Sequence, residues 1–214
     1  MKLIVISPEA SDPRELPVLA DLFAAGLTDY HLRKPTWSRD QLAAFLSYVP
    51  GEFHRHLVLH SHHDLAEEFA LRGAHYGDAD GPPSPFLRSR AVHTLAKLRA
   101  SLDSYDRLLL SPIFPSYSKP GHVPSAELTA NDCAELRSLL AEPRHSEVIA
   151  LGGIDATRIP LCRALGFDGV AVLGTVWQSP NPVAAFRALQ RAASGSSYRP
   201  SPIASRPAPA SHAP

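Results

Sequence analysis

Short apolar runs alternate with longer amphipathic stretches along almost the whole chain. The short runs predict strands at 3–6, 30–33, 57–60, 74–76, 91–93, 108–113, 148–151 and 169–173. Several are apolar at every position, as strands buried on both faces of a parallel sheet must be. The longer stretches carry helix signals. Ser38 with Gln41 three residues on fits a capping box, and Leu42, Phe45, Leu46 and Val49 follow at helical spacing. Val18, Leu19, Leu22 and Phe23 predict a helix between Pro13 and Gly26. Asp155 opens a stretch closed by Gly166, and Asn181-Pro182 is a helix cap followed by proline at the first helical position.

Eight strands alternating with helices predict an α/β fold, a single-domain (β/α)8 TIM barrel. The competing open doubly wound sheet needs a glycine-rich turn after its first strand, and Ser7-Pro8-Glu9 holds none. With 214 residues and 44% hydrophobic positions, the chain suffices for one large core. The barrel is expected over residues 1–193. From Ser194 to Pro214 the composition turns to Ser, Pro and Ala, which predicts a flexible tail.

Twenty-one basic residues balance twenty-one acidic ones, so no charged tract points to nucleic acid. The run after Met1 is too short for a signal peptide or a membrane span, and no membrane partner is expected. Cys133 and Cys162 lack partners at metal spacing, which fits reduced thiols and a cytoplasmic location. Assembly into a homo-oligomer is left open.

Active sites of such barrels lie at the C-terminal strand ends, and there the polar residues gather. The second strand ends in His31-Leu32-Arg33-Lys34, and the third in His60-Ser61-His62-His63. The fourth leads to Asp78 and Asp80, and the fifth ends in His93-Thr94. The sixth leads into Ser111-Pro112-Ile113-Phe114-Pro115-Ser116-Tyr117-Ser118-Lys119. The seventh ends in Gly152-Gly153, and the eighth in Leu173-Gly174-Thr175. Arg33, Lys34 and Lys119 supply cationic charge for one anion, and Ser116 and Ser118 supply hydroxyl donors. Backbone N–H groups at Gly152, Gly153, Leu173 and Gly174 suit a second anion. Asp80 suits Mg²⁺. Each feature alone also reads as an ordinary solvated turn. His60, His62 and His63 read as a zinc cluster only weakly, since no thiolate or His-x-x-x-His helix accompanies them.

The segments His31-Leu32-Arg33-Lys34, Gly73-Ala74-His75-Tyr76-Gly77-Asp78-Ala79-Asp80, Val92-His93-Thr94, Ser111 to Lys119, Ala150-Leu151-Gly152-Gly153-Ile154 and Gly169-Val170-Ala171-Val172 carry a resemblance in this order. The chain, over residues 3–190, resembles the thiamine phosphate synthase and thiazole tautomerase superfamily. The resemblance implies a transferase joining hydroxymethylpyrimidine pyrophosphate to a thiazole phosphate, with Mg²⁺ as cofactor. It implies that Arg33, Ser116, Ser118 and Lys119 hold the pyrophosphate and that Asp80 binds the metal. It further implies that Gly152, Gly153, Leu173 and Gly174 hold the thiazole phosphate, with His31, Lys34, His60 and His93 among the substrate-binding positions. The chain departs from the pattern at His60-Ser61, where the synthases carry Asn-Asp, at Pro35, where they carry lysine, and at Ala91, where they carry serine. The tautomerase branch places a histidine where Pro112 stands. Thiazole isomerisation with His31, His60 or His122 as proton carrier, and non-catalytic binding of thiamine intermediates, are the alternatives.

Overall fold

The computed structural model describes residues 1–77, 84–115 and 133–195. Eight parallel strands close into a barrel in sequence order: β1 (Lys2–Ile6), β2 (Tyr30–Leu32), β3 (Leu57–Leu59), β4 (Gly73–Tyr76), β5 (Leu87–Val92), β6 (Arg107–Leu110), β7 (Glu147–Leu151) and β8 (Gly169–Val172). Closure comes from β1 against β8, where Lys2 pairs with Gly169 and Val5 with Val172. Around the barrel lie α1 (Glu15–Ala24), α2 (Arg39–Tyr48), α3 (Leu65–Glu68), α4 (Leu95–Ser101), α5 (Cys133–Ala141), α6 (Ile159–Leu165), α7 (Gly174–Trp177) and α8 (Pro182–Ser194). A 3-10 turn, Gly51–His56, leads into β3.

The local signals act as their chemistry requires. Ser38 accepts from the Gln41 backbone while the Gln41 side chain accepts from Ser38 N–H at 2.8 Å, a complete capping box. Asn181 caps α8 by accepting from Ala184 N–H at 2.9 Å. Gly166 ends α6 with φ +99°, a left-handed conformation that costs glycine nothing. Asp155 sits ahead of α6 and accepts from the N–H groups of Thr157 and Arg158. At its far end α8 runs through Ser194 and is capped by Gly195, while residues 196–214 of the expected tail lie outside the described residues.

Two strands differ from expectation. β5 begins at Leu87, four residues before the predicted Ala91, since the polar Arg88, Ser89 and Arg90 lack the apolar run by which the other strands are read. Both guanidinium groups lie over the ring of Tyr105, at 4.6 and 5.3 Å, so their aliphatic stems cover the barrel's outer face. β6 begins at Arg107 and stops at Leu110, since Pro112 cannot donate to the ladder.

Side chains alternate between the helix layer and the barrel interior. Val5, Tyr30, Leu32, Leu57, Leu59, Leu108 and Val148 belong to the outer core. Ile4, Ile6, Leu109, Ile149 and Ala171 form a separate cluster inside, drawn from β1, β6, β7 and β8. The β2–β5 side of the interior is polar. His31, His75 and Ser89 are buried there, and Arg107 of β6 is buried beside them. At the N-terminal end Arg107 pairs with Asp29 at 2.8 Å and with Glu147 at 3.1 Å, and Lys2 adds a second cation to Glu147. Burial opposes ionisation of Glu147, but Lys2 and Arg107 together hold its carboxyl below the usual range. Among the described residues, no helix is long and apolar enough to cross a membrane.

Candidate active site

The C-terminal strand ends enclose a cavity of about 500 Å³. One wall carries Glu9, Arg33, His60, Ser61 and His75; the opposite wall carries Gly152, Gly153, Leu173, Gly174 and Thr175. His93 and Pro112 lie between them, and Ile6, Leu109, Leu151 and Ala171 form the apolar floor.

Arg33 is placed by a reciprocal clamp. Its N–H donates to Ser7 Oγ at 2.7 Å, and Ser7 Oγ–H donates back to the Arg33 carbonyl at 3.1 Å. This ties the end of β1 to the end of β2 and aims the guanidinium at the mouth, where it forms an ion pair with Glu9. An anion entering the cavity competes with Glu9 for that charge.

Lys34 corrects an expectation. Its ammonium is already committed inside the protein, to the Glu15 carboxylate and two backbone carbonyls. All three of its protons are taken by Pro8 O (2.7 Å), Ala10 O (3.1 Å) and Glu15 Oε2 (2.5 Å), and it lies 4.8 Å from the Trp37 ring centre. The side chain is fully buried, and Tyr30 donates to the other Glu15 oxygen at 2.8 Å. Lys34 is a structural pin between β2 and the start of α1. His31 is corrected in the same way: it is completely enclosed beneath the cavity and offers a substrate no surface.

On the opposite wall Gly152 and Gly153 have φ of +98° and +59°. A Cβ on Gly153 would stand 2.2 Å from Pro115 O, so the turn admits no side chain. Their carbonyls are engaged: Phe114 N–H donates to Gly152 O, and Arg158 donates to Gly153 O. Thr175 Oγ–H donates to Ile154 O at 2.5 Å, joining this turn to the start of α7. The N–H groups that open α7, at Gly174 and Thr175, precede the first intrahelical bonds.

His93 is exposed, with Nδ1 2.9 Å from Ser111 O. His62 and His63 turn away from His60: His62 Nε2 lies 3.0 Å from Trp37 O and His63 Nε2 3.1 Å from His75 O. The weak His60–His62–His63 grouping is therefore not one cluster. His60 instead meets His31, with Nδ1 of His31 3.0 Å from Nε2 of His60, and the ring of His75 is 4.2 Å from that of His60. Burial, with the neighbouring histidines and arginines, holds His31 and His60 well below the usual imidazole value and pushes His75 down to about 3. His75 was not among the expected site residues. Its position two residues after Gly73, opposite in phase to Ala74 and Tyr76, is the inward signal that reveals it. Asp78, Asp80, Ser116, Ser118, Lys119 and His122 lie outside the described residues.

The model of the thiamine monophosphate synthase family matches residues 3–176. The chain belongs to this family. It is 31% identical over 185 residues to a thiamine-phosphate synthase of Methanoculleus marisnigri, covering 80% of this chain and 85% of that protein. The thiamine-phosphate synthase of Haemophilus influenzae is 30% identical over 139 residues, 60% of this chain, and the match spans only 59% of that protein. Among solved structures, a thiamine phosphate pyrophosphorylase from Bacteroides thetaiotaomicron superposes with a TM-score of 0.74 at 28% identity, covering 92% of this chain and all of that one. The thiamine monophosphate synthase barrel is thus the frame in which the cavity is read.

Proposed function

We propose that the cavity carries out thiamine phosphate synthase chemistry on a pyrimidine pyrophosphate and a thiazole phosphate. The observation that supports this reading best is the meeting of Arg33 and the Gly152–Gly153 and Gly174 backbone on facing walls of one cavity. The walls are distinct in kind, a guanidinium cation on one side and fixed backbone dipoles on the other, which suits two different phosphorylated ligands.

In this reading the bond between the pyrimidine methylene carbon and the pyrophosphate oxygen breaks, and the oxygen keeps the electron pair. The lone pair of the thiazole nitrogen then forms the new C–N bond. Negative charge grows on the leaving pyrophosphate, so Arg33 stabilises the transition state more than the ground state. Ser116, Ser118 and Lys119 are assigned to the same pyrophosphate. Leu151, Leu109 and Ala171 keep the floor dry, protecting the pyrimidinyl cation from water. The N–H groups of Gly174 and its neighbours hold the thiazole phosphate.

Mg²⁺, when bound, neutralises leaving-group charge in this chemistry. The described residues do not fit it. Mg²⁺ takes oxygen ligands, whereas this wall offers imidazole nitrogen and one hydroxyl, and its carboxylate, Glu9, is held by Arg33. Asp80 remains as the assigned carboxylate.

The test supplies both phosphorylated precursors and Mg²⁺ to the purified protein and follows thiamine phosphate and pyrophosphate together. Equal amounts of both products are expected, with the rate falling on the order of 10²-fold in Lys119→Ala. Absence of thiamine phosphate at saturating precursors overturns the reading.

A further inference from the structure

We propose that His31, His60 and His75 form a binding site for a divalent transition metal, with zinc the best match, sunk in the polar side of the barrel and open to the cavity. The site is separate from the synthase reading and does not rest on it.

Three neighbouring strands deliver the three imidazoles. The β3–β4 register pairs Val58 with Gly73 and Leu59 with Ala74, so the next pair is His60 with His75. The β2–β3 register pairs His31 with Val58, which puts His31 one inward position lower. The result is a triangle with its base, His60 and His75, on the cavity wall and its apex, His31, deeper in the barrel. One nitrogen from each ring lies within 4.8 Å of the others, and the His31–His60 pair is already at 3.0 Å. Zinc–nitrogen bonds of about 2.0–2.1 Å in a tetrahedron set ligand nitrogens about 3.3–3.4 Å apart. Side-chain rotations that bring the outermost nitrogens, within 4.8 Å of one another, about 1.4 Å closer make up the difference.

Two of the three outer nitrogens, those of His75 and His31, face partners of the kind that metal-ligating histidines use. Ligating histidines turn the second ring N–H to a carboxylate or hydroxyl, which fixes the tautomer. Ser89 Oγ stands 2.8 Å from His75 Nδ1, leaving Nε2 for an ion. His31 Nε2 faces Asp29 Oδ1 at 3.7 Å, with its Nδ1 turned to His60. Both His31 Nε2 and Asp29 Oδ1 are buried without a hydrogen bond. Unmade bonds of this kind are rare in folded proteins and call for an explanation. A metal on His31 Nδ1 polarises the ring and draws the Nε2 proton toward Asp29, giving both atoms a partner.

Charge and access agree. Burial keeps the three rings neutral, the form that ligates. The nearest guanidiniums are each paired, Arg107 with Asp29 and Glu147, and Arg33 with Glu9. His60 and His75 line the cavity, so an ion enters from the mouth and keeps its fourth position toward the cavity for water or a ligand oxygen. Three protein ligands with one open position is the arrangement of reactive rather than purely structural zinc. Nitrogen donors also select zinc, nickel or copper over magnesium.

Calorimetric titration of the full, untagged chain with Zn²⁺ tests the site, with Co²⁺ as an absorbing substitute. One Zn²⁺ per chain is expected, unaffected by excess Mg²⁺, together with a visible four- or five-coordinate Co²⁺ spectrum. His60→Asn, on the cavity wall, is expected to raise Kd at least 10²-fold and abolish the spectrum. His145→Asn, on an exposed histidine, is expected to change neither. Asp29→Asn is expected to weaken binding about 10-fold or more. Because wild-type stoichiometry and the Co²⁺ spectrum need no variant, misfolding of a mutant leaves the decision intact. Failure of the folded wild type to bind one ion, or unchanged affinity in His60→Asn, overturns the proposal.

Discussion

Replacing Lys34 by methionine removes one half of a buried ion pair and keeps most of the side chain's volume. Glu15 is left as a carboxylate with Tyr30 as its hydrogen-bond donor, and the carbonyls of Pro8 and Ala10 lose theirs. Breaking a buried pair on one side costs about 3–5 kcal/mol, a large part of a typical total of about 5–15 kcal/mol. For a domain of this size the melting temperature falls by about 2–4 °C per kcal/mol, hence by about 6–20 °C. The loss depends on pH in a defined direction. Burial already raises the Glu15 carboxyl even with Lys34 present, and removing Lys34 raises it further. A raised folded value favours the protonated form, so the variant regains stability as pH falls through that value toward the unfolded value near 4.3. Urea unfolding at pH 7 and pH 5 is the assay, with Lys34→Met/Glu15→Gln as the closing corner of the cycle. The double variant keeps an acceptor for Tyr30 and is expected to recover more than about 1 kcal/mol relative to additivity. A single variant within about 1 kcal/mol of wild type at pH 7 would refute the structural role and return Lys34 to the list of anion ligands.

Gly153→Ala forces a side chain onto φ +59° and against Pro115 O and Phe114. It is expected to cost about 2 kcal/mol or more and to weaken binding of inorganic phosphate; a variant matching wild type in both would show that the turn is more adaptable than it looks. Glu9→Gln releases Arg33 from its ion pair, worth at most about 1 kcal/mol at this exposure, so pyrophosphate affinity measured by calorimetry is expected to rise up to about 5-fold. Unchanged affinity would mean that Arg33 does not meet the anion. Deleting residues 196–214, which follow the α8 cap at Gly195, is expected to leave the melting temperature unchanged, and a fall of several degrees would mean that the tail docks.

The barrel was legible in the chain because its signals are local. Ser38 and Gln41 interact across three residues, Asn181 caps its own helix, and the apolar runs of β1, β3 and β8 need only their own composition to be read. What was hidden depends on closure. Glu15 and Lys34 are nineteen positions apart, and only the packing of α1 over β2 turns an apparent surface cation into a pin. Arg88, Ser89 and Arg90 carry no strand signal because polarity on both faces of a strand usually means solvent. Here one face stacks on Tyr105 and the other meets His75. Gly152-Gly153 at the end of β7 marks the cavity's second wall in the sequence, whereas His75 stands inside a short strand with no polar neighbour to signal it.

Strand β1 has a further consequence. It begins the chain yet lies beside β8, and the amino group of Met1 donates to the carbonyl of Ala193 at 3.1 Å, near the end of α8. Trp177 reaches back to bond Ile6 O at 2.8 Å. The apolar half of the interior therefore cannot assemble until β6, β7 and β8 are available to β1. During synthesis the ribosome releases β2–β5, with their inward histidines and serine, before any hydrophobic partner for Ile4 and Ile6 exists. Joining distant ends carries a loop-closure cost that grows only slowly with length but must be met before its contacts form. The seam between the first and last strands is thus the longest-range contact of the ring, and a linker joining the neighbouring ends would pass that distinction to whichever strand pair is opened instead.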